Sequence, residues 1–131
     1  MSPAKERIDR SLLAIDFETA TPDQNGACSI GLVLVESGEI VSHEHYLIRP
    51  PADDFHPRCV AVHGITFDDV SDAGRFPELW NEVRYLLKNA EFVVARNAAF
   101  DRGVLRGTVD TCRLKHPPQP FASTIRGMSR G

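Results

Sequence analysis

Long apolar runs are missing from this chain of 131 residues. No stretch approaches the roughly 20 apolar residues that a membrane-spanning helix needs, so a membrane partner is not expected. Cysteine is scarce: Cys28, Cys59 and Cys112 stand 31 and 53 residues apart. That spacing fits no zinc site and the odd count argues against a disulfide framework, so three reduced thiols in a cytoplasmic protein are expected. The opening stretch MSPAKERIDRS is charged and lacks the apolar segment of a signal peptide. Internal repeats and low-complexity tracts are absent as well. What remains is ordinary for a globular domain, with 42% apolar and 25% charged residues. The length suits one domain with one core, read as a charged tail over 1–10 and a domain over 11–131.

Net charge is only −3, which does not by itself mark a nucleic-acid binder. Its distribution is uneven: residues 1–95 sum to −8 and residues 96–131 to +5. Arg96, Arg102, Arg106, Arg113, Lys115, Arg126 and Arg130 carry the basic end. An acidic body with a basic flank suits a metal site beside a phosphate-binding surface, and it equally suits a plain solvated face.

The element pattern is α/β. Residues 11–18 read as a strand, PDQNG (22–26) as a turn, and 28–36 as a second strand closed by a tight Ser37-Gly38 hairpin. Alternation over 39–49 gives a third, partly exposed strand ended by Pro50-Pro51. A short helix is expected from Pro57 to a stop at Gly64, and Thr66 with Asp69 resembles a capping box. Residues 77–89 form the clearest helix, with Leu79, Trp80, Val83, Leu86 and Leu87 on one side. FVVA (92–95) is a central strand, 98–107 a helix weakened by Gly103 and Gly107, and FAST (121–124) the start of one more element. Three strands joined by short turns should be antiparallel, and the strand after the long helix can return parallel to the first.

Within LLAIDFETAT, Asp16 and Glu18 interrupt an apolar strand. Residues i and i+2 share a face, so the two carboxylates point the same way while Phe17 points into the core. Three explanations stay open: an exposed strand end, a carboxylate bonded to the following turn, or a cation that offsets the repulsion. Mg²⁺ and Mn²⁺ are hard ions held by carboxylate oxygens, often by only one or two. Asp101 lies one turn into the helix that follows FVVA. If FVVA lies beside the first strand, Asp101 approaches Asp16 and Glu18.

The segments AIDFETATPDQNGACSIGLVLVESGEIV, HPRCVAVHGIT and FVVARNAAFDRGVL resemble DEDDh-type 3′→5′ exonucleases over about residues 11–107. That group includes the proofreading subunit of bacterial DNA polymerase III and ribonuclease T. The resemblance implies a ribonuclease H-like mixed sheet flanked by helices and hydrolysis of phosphodiesters at nucleic-acid 3′ ends. It implies Asp16, Glu18 and Asp101 as catalytic metal ligands for two Mg²⁺ or Mn²⁺ ions. It implies that Thr19, Val62, His63, Asn97 and Phe100 contact the terminal nucleotide. Single-stranded 3′ ends or a nucleoside monophosphate would be the ligand, and a polymerase or another protein a partner.

The pattern is incomplete. The family's third motif, a histidine base followed five residues later by an aspartate, is missing: after Asp101 the sequence holds one acid, Asp110, and one histidine, His116, with Phe121 five residues beyond it. Arg96 stands where the family usually has histidine. The chain therefore reads as C-terminally truncated, with weakened activity and with sheet surface left bare for self-association. The competing reading is a non-catalytic nucleotide- or oligonucleotide-binding module, or a degenerate remnant.

Overall fold

The computed structural model describes residues 10–123; the amino-terminal tail up to residue 9, and Thr124 of the last expected element, lie outside the described residues. In chain order the elements are β1 (Ser11–Thr19), β2 (Ala27–Glu36), β3 (Glu39–Leu47), α1 (Pro57–His63), α2 (Phe67–Val70), α3 (Phe76–Lys88), β4 (Phe92–Ala95), α4 (Ala98–Thr111) and β5 (Phe121–Ser123). The strands form one sheet in the order β3-β2-β1-β4-β5. β1, β2 and β3 pair antiparallel, whereas β4 and β5 run parallel to β1. This is the mixed α/β sheet expected from the sequence.

Local chemistry fixes the corners. Ser37 (φ 53°) and Gly38 (φ 81°) both take left-handed backbone, which matches a two-residue hairpin turn to the strand twist. Gly64, at φ 76°, caps α1 and donates its N–H to the Val60 carbonyl at 2.7 Å. Asp69 accepts from the N–H of Thr66 at 2.8 Å, closing the capping motif read from the sequence.

One face of the sheet carries the core. Leu13, Ile15 and Phe17 of β1, Ile30, Leu32 and Leu34 of β2 and Val93 of β4 pack on α3 and α4. α3 contributes Phe76, Trp80, Val83, Leu86 and Leu87; Leu79 only borders the core, because Phe76 starts the buried stripe one turn before Trp80. Removing a buried leucine such as Leu87 would cost about 2–5 kcal/mol through lost transfer energy and the cavity left behind.

Two boundaries differ from expectation by more than one residue. β3 stops at Leu47 because Ile48 turns inward, buried, with its N–H bonded to the Cys28 carbonyl at 2.8 Å. α4 runs four residues past the expected end at residue 107. Its glycines do not weaken it into a stop; they admit the turn after β1. A Cβ on Gly103 would meet Gln24 Nε2 at 2.4 Å, and one on Gly107 would meet the Gln24 carbonyl at 3.0 Å. β3 is an edge strand whose Ile40 and Val41 are exposed beside the equally exposed His43 and His45.

Candidate active site

β1 delivers two acids at its end. Leu13, Ile15 and Phe17 face the core, so Asp16 and Glu18 face away from it. Across the ladder Asp16 lies opposite Gly31 and Glu18 opposite Ser29, small partners that leave the carboxylates room. The register slips between Glu18 and Thr19, where the strand bulges and β1 ends.

The third acid arrives from α4. β4 pairs with β1 only from Leu12 to Ala14, so the Phe17 N–H has no strand partner on that side. Asp101 fills the vacancy: its Oδ1 accepts from Phe17 N–H at 2.9 Å, in a buried bond spanning 84 residues of sequence. The amide between Asp16 and Glu18 is thus held by the carboxylate of Asp101. Asn97 sets this geometry by capping α4, with Oδ1 accepting from Phe100 N–H at 3.3 Å and its carbonyl accepting from Asp101 N–H at 3.0 Å.

The three charges act on one another. Asp101, only 2% exposed, is pushed up to about 6: burial is the largest cause, the Phe17 bond opposes it, the charges of Asp16 and Glu18 add to it, and the Asn97 bond opposes it again. Glu18 is raised by burial and then by Asp16, while His63 works in the opposite direction. Such mutual repulsion is the condition a bound cation relieves. Carboxylate oxygens are the donors that Mg²⁺ and Mn²⁺ take, so the residues fit such an ion in kind. Among the described residues, however, no group of three or more His, Cys, Asp or Glu side chains is already arranged to hold a metal ion. One Asp101 oxygen is committed to the backbone.

His63, at the end of α1, is locked on both nitrogens. Nδ1 accepts from Ile65 N–H at 2.9 Å, which leaves Nε2 to carry the proton and donate to the Thr19 carbonyl at 2.8 Å. His63 therefore ties α1 to the end of β1, one residue from Glu18. Cys28 lies beneath it, Sγ 4.0 Å from Nε2, buried and pushed up to about 12. Thr19 is buried. Val62 and Phe100 are conspicuously bare, 82% and 42% exposed, beside His63 and Asp101 respectively. Exposed apolar side chains are the kind of surface on which a base or sugar can rest.

His116 and Asp110 are bonded to each other, Nε2 to Oδ1 at 2.6 Å, at the far end of α4. Nine residues of helix separate Asp110 from Asp101, roughly 13–14 Å along the axis. Two features had no signal in the sequence: the Phe17 amide, because it is backbone, and the Cys28–His63 contact, because it joins distant elements.

Comparison with known proteins bears on family and fold. A family model, RNase T, described as exonuclease, matches residues 13–129. A PolC-type DNA polymerase III of Thermotoga petrophila is 32% identical over 117 residues, covering 88% of this chain and 8% of the polymerase. A ribonuclease T of Shewanella oneidensis is 30% identical over 102 residues, 66% of this chain and 46% of the relative. The chain thus spans under half the length of these curated relatives. Among solved structures, exonuclease X in complex with 5′-overhanging duplex DNA superposes with a TM-score of 0.70 at 30% identity, covering 91% of this chain and 63% of that one. Product-bound exonuclease I reaches 0.79 at 16% identity over 92% of this chain and 31% of that one, a likeness of fold alone.

Proposed function

The chain belongs to the RNase T exonuclease family, and from that premise we propose that it acts on nucleic-acid 3′ ends as a divalent-metal-dependent 3′→5′ exonuclease unit. The observation that carries the reading is the 2.9 Å bond from Phe17 N–H to Asp101 Oδ1, which fastens an acid from α4 between the two acids of β1.

In this reading Asp16, Glu18 and Asp101 hold Mg²⁺ or Mn²⁺. An ion of this kind, when bound, supplies Lewis acidity toward a phosphoryl oxygen and a more acidic water. A finished protein cage is not required, since Mg²⁺ commonly keeps waters and takes substrate phosphate beside one or two carboxylates. Val62 and Phe100 would support the terminal base and sugar, Thr19 and Asn97 would flank them, and His63 would hold the end of β1 so that Glu18 keeps its position.

Proton removal from the attacking water calls for a base. Among the described residues, His63 has both nitrogens engaged and His116 is bonded to Asp110. A positioned base is typically worth about 10²–10⁴-fold, so slow cleavage is expected. The relative borne on a polymerase makes a polymerase a candidate partner, and the exposed Ile40 and Val41 of β3 make that edge a candidate seam between two copies.

The test is incubation with a 5′-labelled oligonucleotide and Mn²⁺. A ladder shortening from the 3′ end, abolished by Asp16→Ala, is expected. The second reading is a nucleotide-binding module; strand binding with no cleavage, indifferent to Mn²⁺, would decide for it.

A further inference from the structure

Away from the carboxylates, a cavity of about 370 Å³ opens between α3 and the segment that leads to β5. Trp80, Leu87, Pro117 and Pro118 supply its apolar walls, and Arg84, Lys88, Lys115 and His116 stand around them. Arg84 and Lys88 are one turn apart on α3, an i,i+4 pair of like charge whose repulsion an intervening anion would relieve. None of the ion pairs formed among the described residues includes Arg84, Lys88 or Lys115. Other cations do pair: Arg10 with Glu91 and Arg49 with Asp53. Asp110 reaches the cavity wall through its bond to His116.

Three exposed cations without a counter-charge, set around apolar walls, match the alternation of a single nucleic-acid strand, phosphate beside base. We propose that this cavity is a second, non-catalytic subsite that grips the phosphates of the substrate strand upstream of its 3′ end. The inference rests on the exonuclease reading and adds where the rest of the strand goes. The wall at Asp110 and His116 lies roughly 13–14 Å along α4 from Asp101. The acids and the cavity thus stand toward opposite ends of α4, so very short substrates would not reach both.

The test is binding of a single-stranded oligonucleotide of about a dozen residues, followed by fluorescence anisotropy in chelator across a salt series, for the wild type and for Arg84→Gln/Lys88→Gln/Lys115→Gln. The variant changes exposed side chains only, and a thermal melt confirms that it folds. Each phosphate contact on a single strand contributes about 0.7 to the slope of log affinity against log salt, so the variant's slope should be shallower by about 2. Its affinity at low salt should fall at least tenfold, while cleavage of a dinucleotide should be unchanged. Equal slopes and affinities would overturn the subsite, with dinucleotide cleavage still upholding the exonuclease. A slope difference without any cleavage would uphold the subsite and overturn the exonuclease. Capture of poly-glutamate through the same three residues, with no binding of the oligonucleotide, would show a protein site instead and overturn the proposal.

Discussion

Helix α4 carries an aspartate near each end, and the two live in different chemistry. Asp101 is buried, bonded to a backbone amide of another element and faced by two further acids. Asp110 is exposed, its side chain 69% accessible, and its partner is a histidine six residues away. An exposed pair of this sort is worth between nothing and about 1 kcal/mol, because water screens it and two side chains must be ordered. A buried acid among like charges is held in place by the fold at a cost, and such costs concentrate where chemistry is done. The same residue type on one helix is thus a surface ornament at one end and a candidate catalytic group at the other.

The sharpest break between the two is substitution by alanine. Asp101→Ala should abolish exonuclease activity and, compared near pH 4 where the wild-type carboxyl is largely protonated, destabilise the protein by about 1–3 kcal/mol, because Phe17 N–H is left buried without an acceptor. Asp110→Ala should leave cleavage unchanged and shift stability by less than about 1 kcal/mol. Matched activity assays and thermal melts of the two variants measure both effects, and equal losses would erase the distinction.

A gentler change separates charge from bonding. Asp101→Asn keeps an oxygen for Phe17 N–H and removes the charge. In the wild type the folded-state value lies near 6, above the ordinary 3.8. Below 3.8 the carboxyl is protonated in both states and has no effect. Between 3.8 and about 6 the unfolded chain ionises first, so stability falls as pH rises, by up to about 3 kcal/mol above pH 6. In chelator, Asp101→Asn should therefore melt higher than wild type at pH 7 and converge with it near pH 4, while remaining inactive. Parallel melting curves at both pH values would show that Asp101 is not held against its charge.

Smaller effects are expected around the histidines. His63→Ala removes the ties to the Thr19 carbonyl and the Ile65 amide, and should lower kcat about tenfold, with a stability loss of about 1–2 kcal/mol. His63→Gln, which keeps one tie, should recover part of kcat. His116→Ala should change neither kcat nor stability beyond about 0.5 kcal/mol. A large loss of cleavage on removing His116 would place the far end of α4 in the chemistry.

Much of this architecture was legible because its signals are local. Alternation in β1, the Ser37-Gly38 turn, the Pro57 start and Gly64 stop of α1 and the stripe on α3 each depend on neighbours in sequence. Asp16 and Glu18 stood out because acids are rare in apolar strands, and Asp101 because it lies one turn into the helix after FVVA. What the sequence did not disclose depends on contacts between distant segments. Gly103 and Gly107 looked like weak points in α4 until Gln24 was seen lying against them. His63, for which the resemblance implies a nucleotide contact, also has Thr19, Ile65 and Cys28 around its ring, partners its sequence neighbours did not announce. The role of the Phe17 amide has no side chain to announce it.

The most direct measurement is a calorimetric titration of Mn²⁺, with a nucleoside monophosphate present, into the wild type and Asp101→Asn. Saturable binding in the wild type that is lost or weakened at least tenfold in the variant is the expected result, since the three acids would then share one ion. Indistinguishable isotherms, or no Mn²⁺ binding by the folded wild type, would contradict a shared metal site at Asp16, Glu18 and Asp101.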